Sequence, residues 1–164
     1  LIHWPSEDVP LEETMSAMIE VKEAGKTRYI GVSNFDIPLL EKARQISPYP
    51  VLTDQVEFHP YYSQKELLSY CQKNKVILTA YSPLARRRLS GDLLLQEIGK
   101  KYGKTANQVA LRWLIQQEMV AAIPKAANPE HQKENLDIFD FELTPEEMEK
   151  ISRLDRREKV ASRT

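Results

Sequence analysis

A long apolar run is absent from this chain, and so is any excess of charge of one sign. No stretch approaches the roughly 18 consecutive apolar residues that crossing a bilayer requires. Because 23 basic residues stand against 24 acidic ones, the net charge of -1 at pH 7 sets up no field to recruit nucleic acid or an anionic membrane surface. Arg86-Arg87-Arg88 is the one basic run. Cys71 stands alone, which excludes an internal disulfide and points to a reducing, cytoplasmic setting. The five glycines make neither a G-x-G-x-x-G turn nor a P-loop, removing two common phosphate-binding devices. H-E-x-x-H and C-x-x-C are missing too, and His3, His59 and His131 share no ligand-like spacing, so no metal is expected. No signal-peptide pattern opens the chain.

What is present is a repeated alternation. Five short apolar runs each end in a polar or aromatic group: Leu1-Ile2 into His3, Tyr29-Ile30-Gly31-Val32 into Ser33-Asn34, Val51-Leu52-Thr53-Asp54 into Gln55, Val76-Ile77-Leu78-Thr79-Ala80 into Tyr81, and Val120-Ala121-Ala122-Ile123 into Lys125. Helical segments separate them. Pro10 to Ala24 carries Leu11, Met15, Met18 and Ile19 at helical spacing, with Gly25 where a left-handed cap belongs. Asp36 to Ile46 is a second helix, and Ser63-Gln64-Lys65-Glu66 reads as a capping box opening a third through Asn74. After a loop from Ser82 to Gly91 comes a helix from Asp92 to Tyr102. Thr105 to Gln108 is another capping box, Asn128-Pro129 an N-cap followed by Pro, and Thr144-Pro145-Glu146-Glu147 opens a last helix through Asp155. The polar tail, residues 156–164, contains nothing that packs and is expected to be a mobile extension of the 1–155 domain.

Strand and helix in alternation imply a parallel α/β sheet, because parallel neighbours need a crossing segment of a dozen or more residues. Short strands apolar on both faces fit a sheet covered on both sides. A doubly wound sheet and a barrel both satisfy that pattern. Five strand ends that deliver different polar groups to one rim make a candidate site, although a closed (β/α)8 barrel needs eight strands and about 250 residues.

Five segments carry a family resemblance. Leu1-Ile2-His3-Trp4-Pro5, Gly31-Val32-Ser33-Asn34-Phe35, Gln55-Val56-Glu57-Phe58-His59-Pro60, Ala80-Tyr81-Ser82-Pro83-Leu84, and Ile123-Pro124-Lys125-Ala126 with Glu134-Asn135 are similar, in order, to the successive signatures of the aldo-keto reductases. The resemblance runs from residue 1 to about residue 155. It implies the last five βα units of a (β/α)8 TIM barrel, incomplete as the sequence stands, which binds NADP(H) and reduces small carbonyl compounds by hydride transfer.

The resemblance also implies roles for individual residues. His3 matches the histidine of the catalytic tetrad, whose imidazole N–H would hold a carbonyl oxygen as negative charge develops; the plain alternative is a satisfied core histidine. Trp4 would wall the substrate pocket. Ser33, Asn34 and Gln55 match the residues that bind the nicotinamide carboxamide, with helix capping as the alternative, above all for Asn34. Tyr81 would stack on the nicotinamide, or simply plug the barrel. Ser82 and Leu84 match the segment over the pyrophosphate, where Arg86-Arg87-Arg88 either pairs with phosphate or is solvated. Lys125, Ala126, His131, Glu134 and Asn135 match the adenosine-phosphate site, Glu134 having a solvated helix residue as its alternative. Ala126 and His131 replace a common Ser and Arg, removing two charge-assisted bonds worth about 1.5–3 kcal/mol each, so NAD(H) is possible beside NADP(H).

In the family, the Tyr, Lys and Asp that complete the tetrad precede the LIHWP strand, and Tyr61 and Tyr62 match none of them. A positioned acid is worth roughly a hundred- to ten-thousand-fold. The sequence as it stands is therefore expected to be the C-terminal part of a barrel whose N-terminal half, or a second copy, completes it. The alternative is a non-catalytic NADPH-binding or half-barrel interaction module.

Overall fold

Caps and close approaches fix where the elements begin and end, and a computed structural model, describing residues 1–161, shows them. The chain divides into two compact units, Leu1–Val56 with Lys65–Thr79, and Glu57–Gln64 with Ala80 onward.

In the first unit α1 spans Leu11–Glu23 and ends as Gly25 enters the left-handed region at φ 70°, where Gly25 N–H reaches Lys22 O and Lys26 N–H reaches Val21 O. Strand β1 (Ile30–Ser33) is buried along its whole length, as a strand covered on both faces must be. A Cβ on Gly31 would lie 2.7 Å from Leu1 and 2.8 Å from Thr53, so glycine is required by close approach. Helix α2 (Ile37–Ile46) starts at Asp36, whose side chain accepts from Leu39 N–H, and β2 (Val51–Glu57) runs parallel to β1 with Val32 opposite Asp54 and Ser33 opposite Gln55. Helix α3 (Lys65–Lys73) buries Leu67, Leu68 and Cys71 and leads into β3 (Ile77–Tyr81), where Thr53 Oγ1 donates to Ile77 O at 2.7 Å.

In the second unit the backbone of β4 (Val120–Ala122) continues to Ile123, whose N–H reaches Ala80 O at 3.1 Å beside the end of β3. A 3-10 turn (Ala85–Gly91) precedes α4 (Leu93–Tyr102), capped by Asp92 and closed by Gly103 in the left-handed region. Helix α5 (Ala106–Ile115) opens with the full Thr105/Gln108 capping box, and α7 (Pro145–Ser152) with that of Thr144 and Glu147. Between them α6 (Pro129–Leu136) is capped by Asn128. Trp113 anchors this core, stacked on Phe58 at 5.7 Å with its indole N–H shared between Met148 O and Ser152 Oγ.

Three expectations are corrected. Leu1 to Pro5 is no strand but a single bridge, Ile2 to Val32, with Ile2 N–H on Gly31 O, and beyond it the segment is held by the Asn34 side chain on His3 O rather than by ladder amides. Ser63 does not cap α3: its hydroxyl donates to Asp155 at 2.7 Å, and Gln64 turns to φ 40°. The tail packs through residue 161, with Arg156 and Glu158 N–H on Tyr61 O and Val160 and Ala161 N–H on the Glu57 carboxyl. The tail residues 162–164 lie outside the described residues. The described residues contain no helix long and apolar enough to cross a membrane.

Candidate functional site

In the first unit, the ends of β1 and β2 and the Ile2 bridge bring four of the named residues together. Asn34, the residue after β1, sits at φ 62°, a left-handed conformation that asparagine adopts more readily than most non-glycine residues. Neighbours hold it there. Its N–H donates to Gln55 O at 3.0 Å, and its side-chain Nδ2 donates to His3 O at 3.1 Å and to Ser33 Oγ at 3.0 Å. The Ser33 hydroxyl, buried, donates in turn to Gln55 O at 2.6 Å. His3 and half-buried Trp4 are thus tied to the Ser33-Asn34 turn, with the His3 ring exposed and 6.3 Å from the Trp4 ring. The capping alternative for Asn34 is answered by α2 itself, whose cap is Asp36.

One member of this cluster escaped the sequence reading. Asp54 is fully buried, its Oδ1 accepts from Phe35 N–H at 3.4 Å, and its Oδ2 has no hydrogen-bond partner among the described residues. Burial pushes its carboxyl up to about 7, with the like charge of Asp36 adding to the effect and the Phe35 N–H opposing it. The available signal was an acidic residue inside the strand-like run Val51-Leu52-Thr53-Asp54.

In the second unit Tyr81 ends β3 half-buried, and burial raises its phenol. Its carbonyl accepts from Phe58 N–H at 3.4 Å. The segment after it is unusually wound: Ser82, Ala85, Arg86 and Arg87 have φ of 48°, 47°, 50° and 75°, with Leu84 O accepting from Arg87 N–H. Backbone of this kind is held by its surroundings and clusters at ligand-binding loops. Of the three arginines Arg88 is paired with Glu158, while Arg86 and Arg87 are exposed.

The adenosine-directed residues fall around α6. Lys125 is exposed. Ala126 O accepts from Gln132 Nε2 at 2.9 Å, and Ala126 and Asn135 share the wall of a cavity of about 480 Å³ with Leu111, Pro124, Ile138 and Phe139. His131 stands out to solvent, 3.4 Å from the Glu134 carboxyl. Glu134 is more than a solvated helix residue, because its other oxygen accepts the hydroxyl of Thr105 at 2.7 Å and links α6 to the capping box of α5.

The same unit holds a polar cluster to which no role was assigned from sequence. Glu57 and His59, two residues apart at the end of β2, are 2% and 0% exposed. The Glu57 carboxyl accepts from His59 Nε2 at 2.9 Å, Val160 N–H at 2.5 Å and Ala161 N–H at 3.0 Å. Burial holds His59 below its ordinary pKa, so the ring is neutral, its proton on Nε2, against the opposing pull of Glu57. Beside it the Tyr61 hydroxyl donates to Asp92 at 2.7 Å under the Arg156 guanidinium, 3.9 Å from its ring. Among the described residues no three His, Cys, Asp or Glu side chains gather to hold a metal.

Comparison with known proteins gives a consistent result. The model of the Aldo/keto reductase family matches residues 1–156. Glyoxal reductase of Bacillus subtilis (strain 168) is 42% identical over 160 residues, covering 98% of this chain and 57% of the relative. The solved structure of a putative 2,5-diketo-D-gluconic acid reductase B superposes with a TM-score of 0.92 at 47% identity, over 94% of this chain and 55% of that one. A Gox0644 mutant in complex with NADPH superposes with a TM-score of 0.83 at 34% identity, over 89% of this chain and 54% of that one. The chain thus spans a little over half the length of the proteins it matches.

Proposed function

The chain belongs to the aldo/keto reductase family, and from that premise we propose that it serves an NAD(P)H-dependent reduction of small aldehydes or ketones. In this reading its strand–helix units take the places of the fourth to eighth of a (β/α)8 barrel. The observation that carries it is the hydrogen-bonded set of His3, Ser33, Asn34 and Gln55.

The donor chemistry fits the cofactor. A nicotinamide carboxamide requires both a donor and an acceptor. The Gln55 side-chain amide carries both, while the Ser33 hydroxyl and Asn34 Nδ2, which donate within the turn, would have to exchange those bonds or meet the ligand through their oxygen acceptors. A half-buried Asn135 and Ala126 on the wall of a mainly apolar cavity suit a heteroaromatic base. NADP(H) or NAD(H), when bound, supplies the hydride. The work left to the chain is to orient the two reactants and to meet the charge that appears on the carbonyl oxygen. Ser33, Asn34 and Gln55 fix the carboxamide, Tyr81 offers a face for stacking, and the His3 imidazole N–H donates to the oxygen. Lys125 and His131 are the cations available to a 2'-phosphate, with Glu134 and Asn135 directed at the base, Ser82 and Leu84 at the pyrophosphate, and Trp4 at the substrate.

One observation favours a binding-only reading beside this one. Tyr61, an obvious tyrosine to try as proton donor, gives its hydroxyl to Asp92, and burial together with that carboxyl pushes it up to about 12. Such a phenol is a poor acid at neutral pH. Quenching of Trp4 and Trp113 fluorescence by NADPH, together with loss of NADPH absorbance in the presence of an aldehyde, separates the readings. The reductase reading predicts quenching by this chain, and turnover when the chain is joined to the family's segment that carries the Tyr, Lys and Asp. There His3→Ala should lower turnover at least about a hundredfold with quenching intact. Quenching without turnover supports the binding module, and turnover unaffected by His3→Ala removes the role given to His3.

A further inference from the structure

We propose that Asn34 is a positioning residue for His3: its side-chain amide is a clasp that fixes the His3 backbone, and the Ser33 hydroxyl aims that clasp. The proposal deepens the reading of His3 as the group that meets the carbonyl oxygen, and rests on it. Ladder pairing of the first residues ends at the Ile2 bridge, where Ile2 N–H meets Gly31 O at 3.0 Å. One residue on, the hold passes to a side chain. Asn34 Nδ2 donates to His3 O at 3.1 Å, and the His3 ring beyond that backbone is exposed. An exposed ring takes its position from its backbone, so where the imidazole points depends on how firmly residue 3 is held.

Hydrogen-bond accounting fixes which way the Asn34 amide faces. Nδ2 carries two N–H donors, one spent on His3 O and the other on Ser33 Oγ at 3.0 Å. The Ser33 hydrogen is committed to Gln55 O at 2.6 Å, so toward Asn34 the Ser33 oxygen can only accept. Flipping the amide would set its oxygen against the His3 carbonyl and against Ser33 Oγ, acceptor against acceptor in both places. Ser33, which is buried, thereby acts on His3 through Asn34. The backbone narrows the choice of residue further. At φ 62° glycine, asparagine and aspartate are the residues most readily accepted, and of these only asparagine brings two donors. A cofactor carboxamide N–H can meet Asn34 at Oδ1, the end that the clasp does not use.

The test compares wild type with Asn34→Gly and Asn34→Asp. Both variants accept the positive φ, but glycine has no clasp and aspartate puts acceptors where the donors were. In the full chain without cofactor, the His3 ring C–H and Trp4 indole N–H resonances report the first residues. Hydrogen exchange of the residue-34 amide, which donates to Gln55 O, reports the turn itself. Both variants should move the His3 and Trp4 resonances toward those of an unstructured peptide while the residue-34 amide keeps its protection, and Ser33→Ala should do the same in milder degree. Unchanged His3 and Trp4 resonances in both Asn34 variants overturn the proposal. So does loss of residue-34 protection in both, which would mean that the turn has collapsed.

Kinetics separates a clasp on His3 from an independent contact with the cofactor. In the protein that joins this chain to the segment carrying the Tyr, Lys and Asp, Asn34→Asp should lower kcat about tenfold at saturating NADPH. Adding His3→Ala should bring the total only to the roughly hundredfold loss of His3→Ala alone, because both changes act on one group. A double variant down about a thousandfold, the product of two independent effects, overturns the proposal. If the joined protein turns over no aldehyde, the reductase reading falls, and the resonances alone decide whether Asn34 positions His3.

Discussion

Replacing Glu57 by Ala should free the last described segment of the chain, and the size of the effect can be worked from the contacts. The substitution strips the acceptor from three donors at once, His59 Nε2 and the backbone N–H groups of Val160 and Ala161. A buried donor left unpaired costs about 1–3 kcal/mol. His59 has nowhere to turn, its ring being wholly buried. The tail donors can instead recover water by letting go, which brings the expected loss to about 2–4 kcal/mol in total. What then still holds residues 156–161 among the described residues is weak: two N–H groups on Tyr61 O, the Arg156 guanidinium over the Tyr61 ring and 3.8 Å from the Asp92 carboxyl, the Lys159 ammonium over the Tyr62 ring, and the exposed Arg88–Glu158 pair. Exposed pairs and cation–π contacts contribute about 0.2–1 kcal/mol each, against an ordering cost of about 1–2 kcal/mol per residue. The strap should therefore come off before the unit unfolds. Urea unfolding measures the loss, and limited trypsin digestion reads the strap directly, because Arg156, Arg157 and Lys159 lie within it. Arg88→Ala is the comparison, with an expected loss of at most about 1 kcal/mol. A Glu57→Ala protein that loses less than about 1 kcal/mol and resists trypsin like the wild type would refute the reasoning.

Two buried groups predict opposite pH effects on stability. Asp54 titrates near 7 when folded and near 3.8 when unfolded, so between those values the folded chain holds the extra proton and stability falls as pH rises, on the order of 4 kcal/mol across the window. His59 is held below 6.5 in the folded chain, so stability is lost as pH falls below about 6.5, where the unfolded chain takes up a proton first. Urea midpoints across pH for wild type and Asp54→Asn separate the two, and an unchanged profile in Asp54→Asn would mean that Asp54 ionises normally. Gly99→Ala should destabilise by about 1–3 kcal/mol although alanine is the better helix former, because a Cβ there would lie 2.3 Å from Lys104 O. A thermal midpoint at or above wild type would show that α4 can shift to make room.

Much of this protein was legible because its signals are local. The helix caps at Asp36, Thr105, Asn128 and Thr144 and the glycine after α1 need only a few neighbouring residues to act, and they stand where the sequence puts them. The cofactor-directed residues were legible for another reason, since they lie in contiguous stretches whose order matches a family. The failures are equally physical. Ser63 has the residues of a capping box, yet its hydroxyl is claimed by Asp155, 92 positions away. The tail reads as polar and unattached because its donors are backbone N–H groups, which every sequence carries and none advertises.

The sequence by itself determined the alternation of strand and helix, the points where helices start, and the set of side chains at the strand ends. Only the tertiary structure decided what those side chains and their neighbours meet. It bound Asn34 to His3 and Ser33, sealed Asp54 away without a counter-charge, and gave Glu57 three donors from His59 and the tail. Caps act over one turn of chain, whereas the burial of a carboxyl depends on elements tens of residues apart arriving at one place.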